Sequence, residues 1–229
     1  KNKAGLVKDT DGKILRDNVW GTLEEDCIRR DFSINALYFD PVENILHDFH
    51  QGLQHIQKKM IVSIGDPMLR FEEDPVRSLR AIRFSSKLNF KISGDVKEAI
   101  YQKAPLLENI SNARLFDEFC KIFLSKEALN NFEKLQSFGA LKHLINTSQY
   151  PVDSFGLRFQ HAALTNTDNR LKAEKSITPG FLLAALMWPQ LVNATKEEGV
   201  LNLKKFFRSM DSVIREQQEL TAIPRKFHG

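Results

Sequence analysis

Cysteine is scarce: Cys27 and Cys120 are the only two in 229 residues, far apart and without paired spacing. That excludes a disulfide framework and a cysteine-based zinc site, and a reducing, cytoplasmic setting is expected. Long apolar runs are missing too. The longest, Phe181 to Trp188, stops at Pro189, well short of the roughly 18 residues that span a bilayer. Lys1-Asn2-Lys3 is followed by Ala4-Gly5-Leu6 and then by charges, with no apolar stretch of the kind a signal peptide needs. No phosphate loop of the Gly-x-x-x-x-Gly-Lys-Ser/Thr type occurs, and no Gly-x-Gly-x-x-Gly, Gly-x-Ser-x-Gly or His-Glu-x-x-His. Charge of one sign is nearly balanced: Lys+Arg number 33 against 29 for Asp+Glu, a net +4, which favours a polyanionic partner only slightly. What remains is 42% hydrophobic and 27% charged, the mixture of an ordinary globular chain with a sizeable core.

Residues Lys1 to about Arg16 are polar and lack apolar periodicity, so a loop is expected there, with Asp9-Thr10-Asp11-Gly12 as a turn. Ile34–Phe39 and Ile45–Phe49, separated by Asp40-Pro41, read as a β-hairpin. Leu53–Met60 can form a short helix and Ile61–Ile64 a further strand. After Gly65 the pattern turns helical: Asp74-Pro75 is read as a helix start, Asp at the cap and Pro at the first position. Helices are expected at about Pro75–Leu88, Gly94–Gln102, Ala113–Ser125, Glu127–Phe138, Phe155–Leu164, Pro179–Val192 and Leu201–Leu220. The expected fold is α+β but mostly α: a small β-containing N-terminal part followed by a helical array.

Three clusters carry possible chemistry. Arg29-Arg30-Asp31, ahead of Asn35, sets two forked cations beside an acceptor. It can hold phosphate or ribose through charge-assisted bonds, or simply pair with Glu24-Glu25-Asp26 at the surface. Glu72-Glu73-Asp74-Pro75-Val76-Arg77 continues into Arg80, Arg83 and Lys87. At about 100° per residue those four cations share roughly a third of the helix circumference, and apolar Val76, Leu79, Ile82, Phe84 and Leu88 are scattered around the helix. Such a helix should be enclosed, its arginines facing a partner. Glu73 and Arg77 stand at i,i+4 and read either as a salt bridge or as acceptor and donors for a nucleobase edge. In His47-Asp48-Phe49-His50, strand alternation puts His47 and Phe49 on one face. Asp48 is open to a metal role or to plain surface polarity.

Taken in order, these clusters resemble the motifs of class II nucleotidyltransferases, the family of bacterial poly(A) polymerases and tRNA CCA-adding enzymes. Gly21-Thr22-Leu23-Glu24-Glu25-Asp26 with Arg29 to Leu37 resembles the second motif. Asp48 with Gly52-Leu53 resembles the third, although His55 stands where the family usually has Asp. Glu73-Asp74-Pro75-Val76-Arg77, running into Leu79 to Phe84, resembles the fourth, and Ala113 to Glu118 the fifth. Leu15 to Gly21, Leu164 to Arg170 and Pro179 to Pro189 resemble the poly(A) polymerase branch more than the CCA-adding one.

The resemblance implies a head remnant over residues 1–64, a neck that recognises the base over 65–139, and an RNA-binding body over 140–229. It implies transfer of AMP from ATP to an RNA 3′ end with two magnesium ions. Arg29, Arg30, Asp31 and Asn35 would contact the nucleotide. Glu73, Asp74 and Arg77 would select its base with Arg80 in support, and Arg83, Lys87 and Arg114 would meet RNA. Asp48 would be a third acidic residue of the active site. The family's Asp-x-Asp strand, which holds the metals, is expected upstream of Lys1, so these 229 residues alone are expected to have negligible polymerase activity. CCA addition, or an RNA-binding protein without catalysis, would use the same scaffold.

Overall fold

The computed structural model describes residues 21–145 and 152–192 in full, and the backbone of 7–8, 14–16, 193–197 and 200–201. The Asp9–Gly12 turn and all but the first residue of the Leu201–Leu220 helix lie outside the described residues. Where a loop was expected at the start, the backbone forms two short antiparallel strands, β1 (Val7–Lys8) and β2 (Ile14–Arg16).

Helix α1 (Leu23–Arg29) begins at a capping box. The Thr22 hydroxyl accepts from the Glu25 N–H at 3.2 Å, and the Glu25 carboxylate accepts from the Thr22 N–H at 2.8 Å. Two initial donors that the helix cannot satisfy internally are thereby met. A 3₁₀ turn at Ser33–Asn35 leads into the expected hairpin, β3 (Leu37–Asp40) paired antiparallel with β4 (Ile45–Asp48). The hairpin's second strand is followed by α2 (Gly52–Gln57) and β5 (Met60–Ile61). Gly52 cannot be replaced easily: a Cβ there would lie 2.5 Å from the Ser33 carbonyl oxygen.

An Asp-Pro pair that carried no expectation, Asp66-Pro67, starts a further helix, α3 (Pro67–Glu73). Asp66 Oδ1 accepts from the Met68 N–H at 2.9 Å, and Pro67 occupies the first turn. Asp74-Pro75 starts α4 (Val76–Leu88) as expected, with Asp74 Oδ1 accepting from the Val76 N–H at 3.3 Å, and Asp74 also ends α3. Then follow β6 (Lys91–Ile92), parallel to β5, and α5 (Gly94–Lys103), α6 (Asn112–Phe123), α7 (Ala128–Ser137), α8 (Leu141–Leu144), α9 (Ser154–Lys172) and α10 (Pro179–Thr195). The fold is therefore α+β and mostly helical, as expected. No helix of the described residues is long and apolar enough to cross a membrane.

The core is set by helical spacing. Leu115, Phe119, Ile122 and Phe123 form one buried face of α6, and Val76, Leu79 and Ile82 are buried along α4. The apolar cluster runs from Phe32 and Ile61 through Phe71 and Phe132 to Leu182 and Leu186. α9 runs eight residues beyond the expected Leu164. Its polar second half is captured by tertiary contact: Asp168 is buried and accepts from the N–H groups of Ala128 (2.7 Å) and Leu129 (3.2 Å), capping α7 from another helix.

Candidate functional site

Arg30, just past the end of α1, is extended, and the next residue, Asp31, hydrogen-bonds through its carbonyl to the Ile64 N–H at 3.1 Å. The Asp31 carboxylate turns toward α4. Its Oδ2 lies 2.6 Å from Arg80 Nη2, and its Oδ1 lies 3.4 Å from Arg77 Nε. Beside this node opens a cleft of about 330 Å³ lined by Arg29, Arg30, Asp31, Asn35, Arg80 and Phe84. Three guanidinium groups and an amide facing one small cleft suit a polyanion that also carries hydroxyls.

Arg30 is steadied on its other side. Asp26 Oδ2 accepts from Arg30 Nη2 at 3.0 Å, Tyr38 Oη accepts from the same nitrogen at 2.7 Å, and the Tyr38 hydroxyl donates to Asp26. The Tyr38 hydrogen bond, followed by the Arg30 bond and charge, holds the Asp26 carboxyl below the ordinary range. The ion pair with the acidic run is thus present for Arg30, while Arg29 and Arg30 still line the cleft.

Glu73 and Arg77 do not pair, because the chain breaks between them at Asp74-Pro75. Glu73 pairs with Arg70 at 3.1 Å on α3 and is 61% exposed. Asp74 is held by Arg114 at 2.7 Å, with Arg77 4.0 Å away. The Arg77 side chain is only 14% exposed; its Nε has only the ion-pair contacts to Asp31 and Asp74, and its Nη1 is buried without a hydrogen-bond partner. Such a donor costs about 1–3 kcal/mol when left unmet, so it favours an incoming acceptor. Further along α4, Arg83 faces buried Glu118 at 3.9 Å. Burial pulls its guanidinium below the ordinary value, with Glu118 opposing. Lys87 is exposed and lies outside this network.

Asp48 caps α2: its Oδ1 accepts from the Gly52 N–H at 2.7 Å and its Oδ2 from the Leu53 N–H at 3.0 Å. Burial pushes this carboxyl up, but the N–H groups of Leu53, Gly52 and His50 outweigh it and hold it below the ordinary range. His47 and Phe49 stack with centroids 6.1 Å apart, as strand alternation requires. The carboxylates of Asp31, Asp48 and Asp74 are thus engaged by cations or backbone donors. Among the described residues no three His, Cys, Asp or Glu side chains converge as metal ligands. The described residues do not fit a magnesium pair.

Two residues of the site were not singled out from the sequence. Phe84 floors the cleft, under Arg83 at 4.6 Å and Arg80 at 5.9 Å; its spacing of four from Arg80 is the signal that points to it. Tyr38 carried no local signal, since its partners are Asp26 and Arg30 from the preceding helix.

Residues 4–62 match the family described as "Poly A polymerase head domain", and residues 89–148 that described as "Probable RNA and SrmB- binding site of polymerase A". Poly(A) polymerase I of Haemophilus influenzae is 40% identical over 209 residues, covering 88% of this chain and 46% of that protein. The chain belongs to the poly(A) polymerase and CCA-adding nucleotidyltransferase family. Within the family, the CCA-adding enzyme of Bacillus licheniformis is 42% identical but over 123 residues, 54% of this chain and 31% of that enzyme. The crystal structure of the Bacillus stearothermophilus CCA-adding enzyme in complex with CTP superposes with a TM-score of 0.56 at 26% identity, covering 95% of this chain and 51% of that one. The chain spans about half the length of the curated poly(A) polymerases it matches.

Proposed function

We propose that this chain forms the nucleotide-selecting and RNA-holding part of a template-independent RNA 3′-adenylyltransferase. In that reaction the RNA 3′-hydroxyl attacks the α-phosphorus of ATP. A phosphodiester forms, the bond to pyrophosphate breaks, and the hydroxyl proton is lost. One observation carries the reading. Asp31 and Arg80, paired at 2.6 Å, line a cleft with Arg29 and Arg30, and beside them Arg77, paired with the same Asp31, keeps a buried Nη1 without a hydrogen-bond partner.

Arg29, Arg30 and Arg80 then take the triphosphate, with Asp31 and Asn35 at the ribose. Asp74 and Arg77 meet the base edge, and Glu73 supports them from the end of α3. Arg83, Lys87 and Arg114 lie toward the RNA. Residues 1–64 act as head, 65–139 as neck and 140–229 as body, in the cytoplasm. The preference for poly(A) over CCA addition rests on coverage, since the Haemophilus poly(A) polymerase matches 88% of the chain and the Bacillus licheniformis CCA-adding enzyme 54%. The 42% identity to the Bacillus licheniformis CCA-adding enzyme over 123 residues keeps CCA addition as the second reading.

Titration of the 229-residue chain with ATP and CTP should show ATP binding more tightly. The whole protein, given RNA and ATP with or without CTP, should add only A. Incorporation of C would move the assignment to CCA addition. Nucleotide-independent RNA binding without extension would leave an RNA-binding protein on the same scaffold.

A further inference from the structure

We infer that Arg70, outside the cleft, is the positioning residue that aims Arg29, Arg30 and Asp31 at the nucleotide; this rests on the nucleotide-site reading above. Arg70 lies on α3, and its side chain is 17% exposed. A single nitrogen, Nη2, shares its two hydrogens among three backbone carbonyls: Ile28 at 3.1 Å, Arg29 at 3.3 Å and Arg30 at 3.0 Å. These are the final carbonyls of α1 and its cap, which the helix itself leaves without donors. Nη1 is held by Glu73 Oε2 at 3.1 Å, so the guanidinium is fixed from both sides.

The position of this clamp gives it a role beyond bracing. The residues whose carbonyls it gathers include two that line the cleft, and Asp31 follows immediately. Beyond Asp31 the backbone is pinned again, the Asp31 carbonyl by the Ile64 N–H and the Ser33 N–H by the Val62 carbonyl. Between these fixed points, Arg70 sets the direction in which the chain leaves α1, and hence where Asp31 meets Arg77 and Arg80. Arg70 also stands four residues before Asp74. It therefore joins the segment bearing the phosphate-side arginines to the segment bearing the base-side pair. Glu73, 61% exposed and turned to Arg70, acts through it.

The test compares R70K, R70Q and R70A in the 229-residue chain. ATP and CTP dissociation constants are measured by calorimetry, melting by circular dichroism, and amide exchange at residues 30–33. Misaiming a bound group by about 1 Å can cost on the order of a hundredfold. R70Q should therefore fold, lose about tenfold or more in affinity for ATP, and lose the same factor for CTP, because the phosphate side is disturbed. Exchange at residues 30–33 should rise while that of α4 stays as in the parent. R70K, with the charge but no fork, should fall between the two. If R70A or R70Q does not fold, R70K alone decides by the same readouts. Folded variants that bind both nucleotides like the parent would overturn the role of Arg70 and leave the nucleotide site standing. A parent chain that binds no nucleoside triphosphate would overturn both.

Discussion

The stretch from Gly21 to Ile64 and the helices that follow it are held together by different means. In the first, the separate apolar cluster is Cys27, Ala36 and Ile64 with Tyr38 against it. Shape comes instead from directed polar contacts: the Thr22–Glu25 box, Asp48 over the start of α2, and the Asp26–Tyr38–Arg30 group. In the second, apolar faces from α3 to α10 share one core, with Phe71, Phe119, Phe123 and Phe132 buried in it. A hydrogen bond contributes only about 1 kcal/mol net but fixes direction; a buried Phe contributes several kcal/mol and fixes little beyond volume. Phe32 and Ile61 are where the first region is anchored in the core of the second. The cleft sits at this seam, on side chains aimed by the first region and backed by the second. The division of labour is therefore between aim and cohesion.

The most severe way to strain that comparison is to open the core. Phe123→Ala should cost about 3–5 kcal/mol, seen as a large drop in the urea midpoint, while the ATP affinity of the molecules still folded stays unchanged. A matching loss of affinity would show that cohesion and aim are not separable. At the seam, Arg77→Ala should lower the preference for ATP over CTP by about tenfold, about 1.4 kcal/mol, and also lower the melting temperature, by less than Phe123→Ala does. The thermal effect follows from the buried ion pair of Arg77 with Asp31. An unchanged nucleotide preference would remove Arg77 from base selection.

The mildest test concerns Asp48. Its folded carboxyl is held below the ordinary value, so the stability it contributes is complete above the unfolded value of about 3.9. That contribution is lost as pH falls through the folded value. The melting temperature of the parent should therefore decline more steeply below about pH 4 than that of Asp48→Asn. Parallel curves would mean that the cap contributes nothing to the first region's shape.

The cationic stripe of α4 and the hairpin were legible because both depend on local period. The three Asp-Pro pairs show where local signals stop. Asp40, Asp66 and Asp74 each accept from the N–H two residues on, yet only Asp66 and Asp74 start helices. Asp74 also ends α3 and is tied to Arg114, 40 residues away along the chain. The capping box at Thr22 and Glu25 was in plain view as Thr-x-x-Glu, yet α1 has buried Cys27 alone of its residues and so no apolar stripe to announce a helix. The three carbonyls under Arg70 and the second half of α9 depend on partners about 40 residues distant, which no spacing reveals. The conversion of Asp48 from open candidate to cap rests on the left-handed backbone of Gln51 (φ 58°), which turns α2 back onto it.

The cap that Asp168 places on Ala128 and Leu129 also has a consequence in time. A ribosome makes residue 168 forty residues after residue 128, which at about 5–20 residues per second is a wait of roughly 2–8 s. During that interval the first turn of α7 must keep its donors in water, and its docking is completed by a helix not yet synthesised. Assembly of this part of the molecule is thus scheduled by the order of synthesis: α7 waits for α9.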